Sequence, residues 1–270
     1  MADVFLFIRH GWKSVWKQKT IWLFSSLSIP SLFSNVIQFE RDANLLLQCI
    51  SFILSPIFII LSFSSIIGVP YLAYRFLIGN AATIQDTFAA VKKFSGRVIG
   101  CSCLGFLPLI PIFFWVVATT KDSSMHILEI SNKMNLVLLP VAIFASLGHF
   151  TFIAFFENDW GIRQSLEKAW SLFKSHFSVL VTLGVILTII YRAFSTISGI
   201  LTILIQSGFD IASINNFNIF NPFASLSNNL LFVCINGIGQ IIFTALSASI
   251  YVSAYLKYSN VKLPFQMRVK

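Results

Sequence analysis

The few residues in this chain that can do chemistry are set in an apolar background. Arg192 interrupts an apolar run that begins at Phe177. An ionisable side chain at membrane depth marks a functional position by default. The planar fork of Arg192 can hold an anionic substrate or a group of carbonyls. Arg192 follows Phe177 by 15 residues, about 22 Å along a helix. That places it toward the outer interface beside Tyr191, where snorkelling to the headgroups is the expected role and an inward-facing partner the alternative. Asn236 and Gln240 are four apart, hence on one helix face, suited to bridging helices or to lining a polar path. His149 reads as a helix–helix hydrogen-bonding residue, with a proton relay as the alternative. Glu157, Asp159 and His176 are the nearest thing to an acid/base set at one interface, and capping and interfacial positions explain them better. The four histidines, His10, His126, His149 and His176, have no paired spacing with carboxylates or thiols, so no metal is expected. A Gly-rich phosphate loop, a nucleophile elbow and an HExxH pair are all missing from the sequence, so no cofactor and no catalytic residue is assigned. Cys49, Cys101, Cys103 and Cys234 fall inside apolar runs and are expected as buried thiols.

The elements that must position these residues follow from composition. The chain has 270 residues, 56% hydrophobic and 11% charged, with 29 Phe. A soluble domain carries about a quarter charged residues, so lipid is the expected solvent for much of the surface. Six spans are expected. They cover Ile21–Phe39, Ala43–Tyr74, Val98 to about Thr120, about Met134–Phe156, a fifth from Phe177 that Arg192 interrupts, its remainder Ala193–Phe209 either continuing the helix or bending along the outer interface, and about Leu230–Leu256. The second is too long for one perpendicular crossing. It must tilt, kink at Pro56 or Pro70, or project past the interface. A signal peptide is the rival reading of the N-terminal segment, opposed by the recurrence of its Trp-bearing helix further on.

Each pair of spans is preceded by an amphipathic helix. Phe5, Ile8, Trp12, Val15 and Trp16 form the first stripe, beside Arg9, Lys13 and Lys17. Ile84, Phe88, Val91, Phe94 and Val98 form the second, beside Lys92, Lys93 and Arg97, and Thr83 with Asp86 three residues on resembles a capping box at its start, although Glu or Gln is the usual partner. Ile162, Leu166, Ala169, Trp170, Phe173 and Phe177 form the third, beside Arg163, Lys168 and Lys174, with Asp159 expected as its N-cap. Ile8, Ile84 and Ile162 recur at roughly equal intervals, which suggests repeated units near 4–78, 80–157 and 159–256. A basic tail spans 257–270. Of the 19 Lys and Arg, all but Arg41, Lys121, Lys133 and Arg192 fall on one side of the six-span topology. The positive-inside rule makes that side cytoplasmic, with both termini and all three amphipathic helices. The fold expected is thus a single all-α integral membrane domain of three hairpins, each preceded by a cytoplasmic interfacial helix. Trp12, Lys13, Trp16, Lys17, Lys92, Lys93, Arg163, Lys168, Trp170 and Lys174 are the expected lipid contacts, with anionic headgroups as the partners. Anchoring the hairpins is the plainer role for these helices. The net charge of +9 is spread through segments flanking the spans, which argues against nucleic acid.

The segment Gly161-Ile162-Arg163-Gln164-Ser165-Leu166-Glu167-Lys168-Ala169-Trp170-Ser171-Leu172-Phe173-Lys174, followed by an apolar run, resembles a group of bacterial multi-pass membrane proteins. The group includes the membrane domain of glycerophosphoryl diester phosphodiesterases. Trp12-Lys13-Ser14-Val15-Trp16-Lys17-Gln18-Lys19 is similar to the same group. In those phosphodiesterases catalysis belongs to a separate soluble barrel. No segment here can form it, so no catalytic residue is carried over. The expectation is a non-enzymatic protein of the bacterial cytoplasmic membrane that organises or assists membrane or envelope components, alone, as a homo-oligomer or with a protein partner. A channel, transporter or lipid-translocating protein is the alternative.

Overall fold

A computed structural model describes residues 2–30, 45–106, 110, 146–209, 226 and 229–259. The described residues form eight helices: α1 (Ala2–Lys17), α2 (Lys19–Ser26), α3 (Leu45–Leu77), α4 (Ile84–Phe106), α5 (146–158), α6 (Ile162–Ser175), α7 (Phe177–Gln206) and α8 (Leu230–Tyr258). Residues 53–77 of α3, with α7 and α8, are long and apolar enough to cross a membrane. They match the expected second, fifth and sixth spans. The second half of the first span, most of the third and fourth spans, the 213–228 connection apart from residue 226, and the tail beyond Ser259 lie outside the described residues.

The antiparallel pairing of α7 and α8 is fixed at four levels. His176 just before α7 stacks on Tyr258, Tyr191 meets Phe243, Phe194 lies over Gly239, and Gln206 Oε1 accepts from Asn229 Nδ2 at 3.0 Å. Residue numbers rise on one helix as they fall on the other. Asn229 also caps α8, its side-chain oxygen accepting from the backbone N–H groups of Leu231 and Phe232.

The N-terminal helix does not lie across the end of the bundle as an interfacial strip would. It runs antiparallel along the last three turns of α8, with Asp3 at Lys257, Phe7 at Tyr258, His10 at Ser253 and Gly11 at Ile250. Gly11 permits this approach, because a Cβ there would stand 3.0 Å from the Ile250 backbone nitrogen. Every residue of α8 from Ala245 to Leu256 is buried, so this half of the helix forms the centre of the core rather than a lipid-facing wall. Val4, Phe7, Phe24, Leu72, Phe150 and Leu183 pack around it. A second cluster joins Ile67 of α3, Phe94 and Val98 of α4, and Phe155 of α5.

Several expected boundaries move. No break separates the charged part of α4 from its apolar continuation, because the helix runs on through Arg97 and Val98. Its N-terminal box forms as expected. The Thr83 N–H and hydroxyl both donate to Asp86, and the Asp86 N–H donates to Thr83 Oγ1. By contrast α1 and α2 are separated by Gln18 alone, and α6 and α7 by His176 alone. In α3 the helix continues through Pro56 and Pro70. The helix containing Arg192 does not end or bend there but continues to Gln206.

Candidate functional site

The polar side chains of the described residues gather chiefly at one end of the bundle. Tyr251, Tyr255 and Tyr258 recur at helical spacing on α8. Tyr255 is fully buried, and its hydroxyl donates to Glu157 Oε2 at 2.5 Å across α5 and α8. Tyr258 is sandwiched between Phe7, edge-on at 5.6 Å, and His176, stacked at 3.7 Å. The Lys257 ammonium donates to Asp3 at 2.7 Å, and that bond holds the Asp3 carboxyl below its ordinary range. The α4 cations Lys93 and Arg97 converge on Asp159 at 2.8 and 2.6 Å. Arg97 Nη1 also donates to the carbonyls of Asp159 and Trp160.

Asp159 therefore does not cap α6. Gly161 occupies the cap position without a side-chain bond, while Asp159 sits in the left-handed region at φ 55°. Asp and Asn tolerate that conformation better than most residues. There it turns its carboxylate to α4. Hydrogen bonds, from Lys93 first and Arg97 second, hold its pKa below the usual carboxylate value. Each carboxylate among the described residues is engaged in such a role. Asp3, Glu157 and Asp159 tie helices together, Asp86 closes a helix N-terminus, and Glu167 pairs with Arg163 at 2.9 Å. No group of three or more His, Cys, Asp or Glu suited to a metal occurs among the described residues.

The expected lipid contacts separate into two kinds. Lys93 and Arg163 face carboxylates and are neutralised within the fold. Lys13, Lys17, Lys92 and Lys174 are exposed, Lys168 is half-buried, and none of these five has a carboxylate partner among the described residues. Trp12, Trp16 and Trp170 are 50%, 58% and 54% exposed. The expected α1 stripe is split: Phe5, Trp12 and Trp16 face outward, Ile8 is half-buried, and Val15 is buried with Val4, Phe7, Gly11 and Ser14 on the inward face. In α4 and α6 the expected stripes are also divided: Phe94 and Val98, and Ala169 and Phe173, are buried, whereas Ile84 and Phe88, and Trp170 and Phe177, are exposed.

A second polar zone lies between α7 and α8. Asn236 is 3% exposed and its Nδ2 makes no hydrogen bond. Gln240 Oε1 and the buried Ser195 hydroxyl on α7 are likewise unbonded. Ser198 and Thr202, also buried on α7, donate to their own helix carbonyls. Buried amides normally find partners, and the expected bridging of helices by these two atoms does not occur. Arg192 is half-buried at the midpoint of α7, near the level of the Tyr191–Phe243 contact. A cleft of about 570 Å³ opens at the loop end of the pair, lined by Gln206, Asn229, Leu230, Leu231 and Cys234. Cys234 and Cys103 are exposed, contrary to expectation, and Cys101 is buried.

His149 couples α5 to α8 by stacking on Tyr251 at 4.6 Å, while its Nδ1 makes no hydrogen bond. The Tyr251 hydroxyl and the Ser146 hydroxyl, 2.8 Å apart, share the interhelical bond instead. Sequence reasoning missed Asp3, Ser146, Ser195, Tyr251, Tyr255 and Tyr258. The tyrosine spacing on α8 was the signal available; the other residues have no local signature. Comparison of the chain with models of protein families, with curated proteins and with solved structures finds no match.

Proposed function

We propose that the chain is a non-enzymatic multi-pass protein of the bacterial cytoplasmic membrane, which organises or assists membrane or envelope components through its helical bundle and its basic, Trp-bearing surface. The observation that carries this reading is the engagement of all five described carboxylates in helix–helix ties, an i,i+4 pair or a cap. General acid/base work needs a carboxylate or histidine positioned against a substrate, and the described carboxylates are committed elsewhere. The three long apolar helices and the outward Trp residues support the membrane location. The resemblance of the Gly161–Lys174 segment to the membrane domain of glycerophosphoryl diester phosphodiesterases accords with a membrane module that leaves chemistry to another domain or partner. Cross-linking in native membranes followed by identification of co-purified proteins tests the role. Recovery of a stable set of envelope proteins is expected. Turnover of a lipid headgroup by the purified chain refutes it.

A passage role is the second reading, supported by the unbonded Ser195 Oγ, Asn236 Nδ2 and Gln240 Oε1 between α7 and α8. Proteoliposome flux or lipid scrambling that disappears in Asn236→Leu/Gln240→Leu would establish it. Fluxes equal to protein-free liposomes would exclude it.

A further inference from the structure

We infer that the α1–α2 segment is the headgroup-binding element of this protein, its occupant an anionic phospholipid held through its phosphodiester. This deepens the membrane reading above and rests on it. The three amphipathic helices look equivalent in sequence, but their charges are used differently. On α4, Lys93 and Arg97 are taken by Asp159 and only Lys92 remains. On α6, Arg163 is taken by Glu167, Lys168 is half-buried, and only Lys174 remains exposed and unpaired among the described residues. On α1 and α2, Arg9, Lys13, Lys17 and Lys19 are all exposed with no carboxylate partner among the described residues. The one acid of that segment, Asp3, is held by Lys257.

Arg9, Lys13 and Lys17 stand four apart, so they form one row of like charges whose spacing is mutually repulsive. An external anion lying along the row relieves that repulsion. Beside the row stands an aromatic ladder. Trp12 meets Trp16 at 5.8 Å, and Trp16 meets Trp22 at 5.6 Å across the Gln18 break, with Phe5 exposed further up. Indoles and cations side by side match the boundary between phosphate and acyl chain. Arg9, Lys13 and Lys17 extend over about 12 Å of helix, so the row presents several cations to one phosphodiester and its neighbours. The imidazole of His10 reports the same field. Its pKa is lowered first by burial and then by Lys13, Arg9 and Lys257.

The test uses the full chain reconstituted from equal phosphatidylglycerol and phosphatidylcholine, with the retained lipids counted by native mass spectrometry. Wild type should retain phosphatidylglycerol preferentially. Arg9→Gln/Lys13→Gln/Lys17→Gln should lose that preference by roughly tenfold. Lys168→Gln/Lys174→Gln should change it less than about threefold, and the charge-preserving Arg9→Lys/Lys13→Arg/Lys17→Arg should keep it. Equal loss in the α6 variant, retention in the α1 neutral variant, or loss in the charge-preserving variant overturns the assignment. Displacement of the lipid by excess inorganic phosphate would make the occupant a free anion and overturn the commitment to lipid. Failure of wild type to enter bilayers would refute the membrane reading itself, a result distinct from the others.

Discussion

Replacing Gly11 by valine tests the seat of α1 on α8. At Gly11 a Cβ would lie 2.6 Å from Ile250 Cγ1 and 3.0 Å from the Ile250 backbone nitrogen. The side-chain atom can swing aside, but the backbone nitrogen belongs to a helix buried on every face, so the two helices must separate. Overpacking of this kind costs about 1–3 kcal/mol, and two γ-carbons place valine at the upper end. Valine regains only a few tenths in helix propensity over glycine, leaving a net loss of about 2–3 kcal/mol. For a chain of this size that lowers the unfolding midpoint by about 5–10 °C, measured by thermal scanning in detergent. Gly96→Ala is the control. Gly96 has no atom within 4 Å of a Cβ position, so alanine there gains up to about 1 kcal/mol of propensity and does not lower the midpoint. If Gly11→Val melts within about 2 °C of wild type, α1 is not seated on Ile250 and the antiparallel docking is wrong.

Asp159→Asn should loosen α6 from α4, seen as faster proteolysis after Trp160. The Asp159 carboxyl is depressed, so the clamp contributes above the ordinary carboxylate pKa of 3.8 and is lost as pH falls through the lower folded value. The difference from wild type should therefore close below that range, and a difference that persists there would refute the ionic origin. Tyr255→Phe leaves Glu157 without its donor and should cost about 1.5–3 kcal/mol in thermal unfolding; an unchanged midpoint would show that water replaces the hydroxyl. Single cysteines at Ala89 and Glu167, in a background lacking the native thiols, should react only from the cytoplasmic side in intact cells. Labelling of either from outside would overturn the topology expected from the positive residues.

The division between sequence and tertiary structure follows the range of the interactions involved. Lipid-compatible helices at 53–77, 177–206 and 230–258 were legible because length and apolarity are properties of a single segment. The Thr83–Asp86 box was legible for the same reason, its partners being three residues apart. The orientation of α1 was not legible. Phe5, Trp12 and Trp16 are larger and more apolar than the opposite face, yet that face holds Gly11 and Ser14, and only small residues admit the close approach of Ile250. Nor could local pattern give Asp159 its role. A carboxylate two residues before a helix cap reads as part of the helix start, until Lys93 and Arg97, more than sixty residues earlier, are brought beside it. Tyr255 with Glu157 and Lys257 with Asp3 are of the same kind, ninety-eight and 254 residues apart. Periodicity along one helix states which residues share a face. Which face is buried, and which charges are neutralised there, is set by the neighbouring helices, and only the assembled bundle decides it.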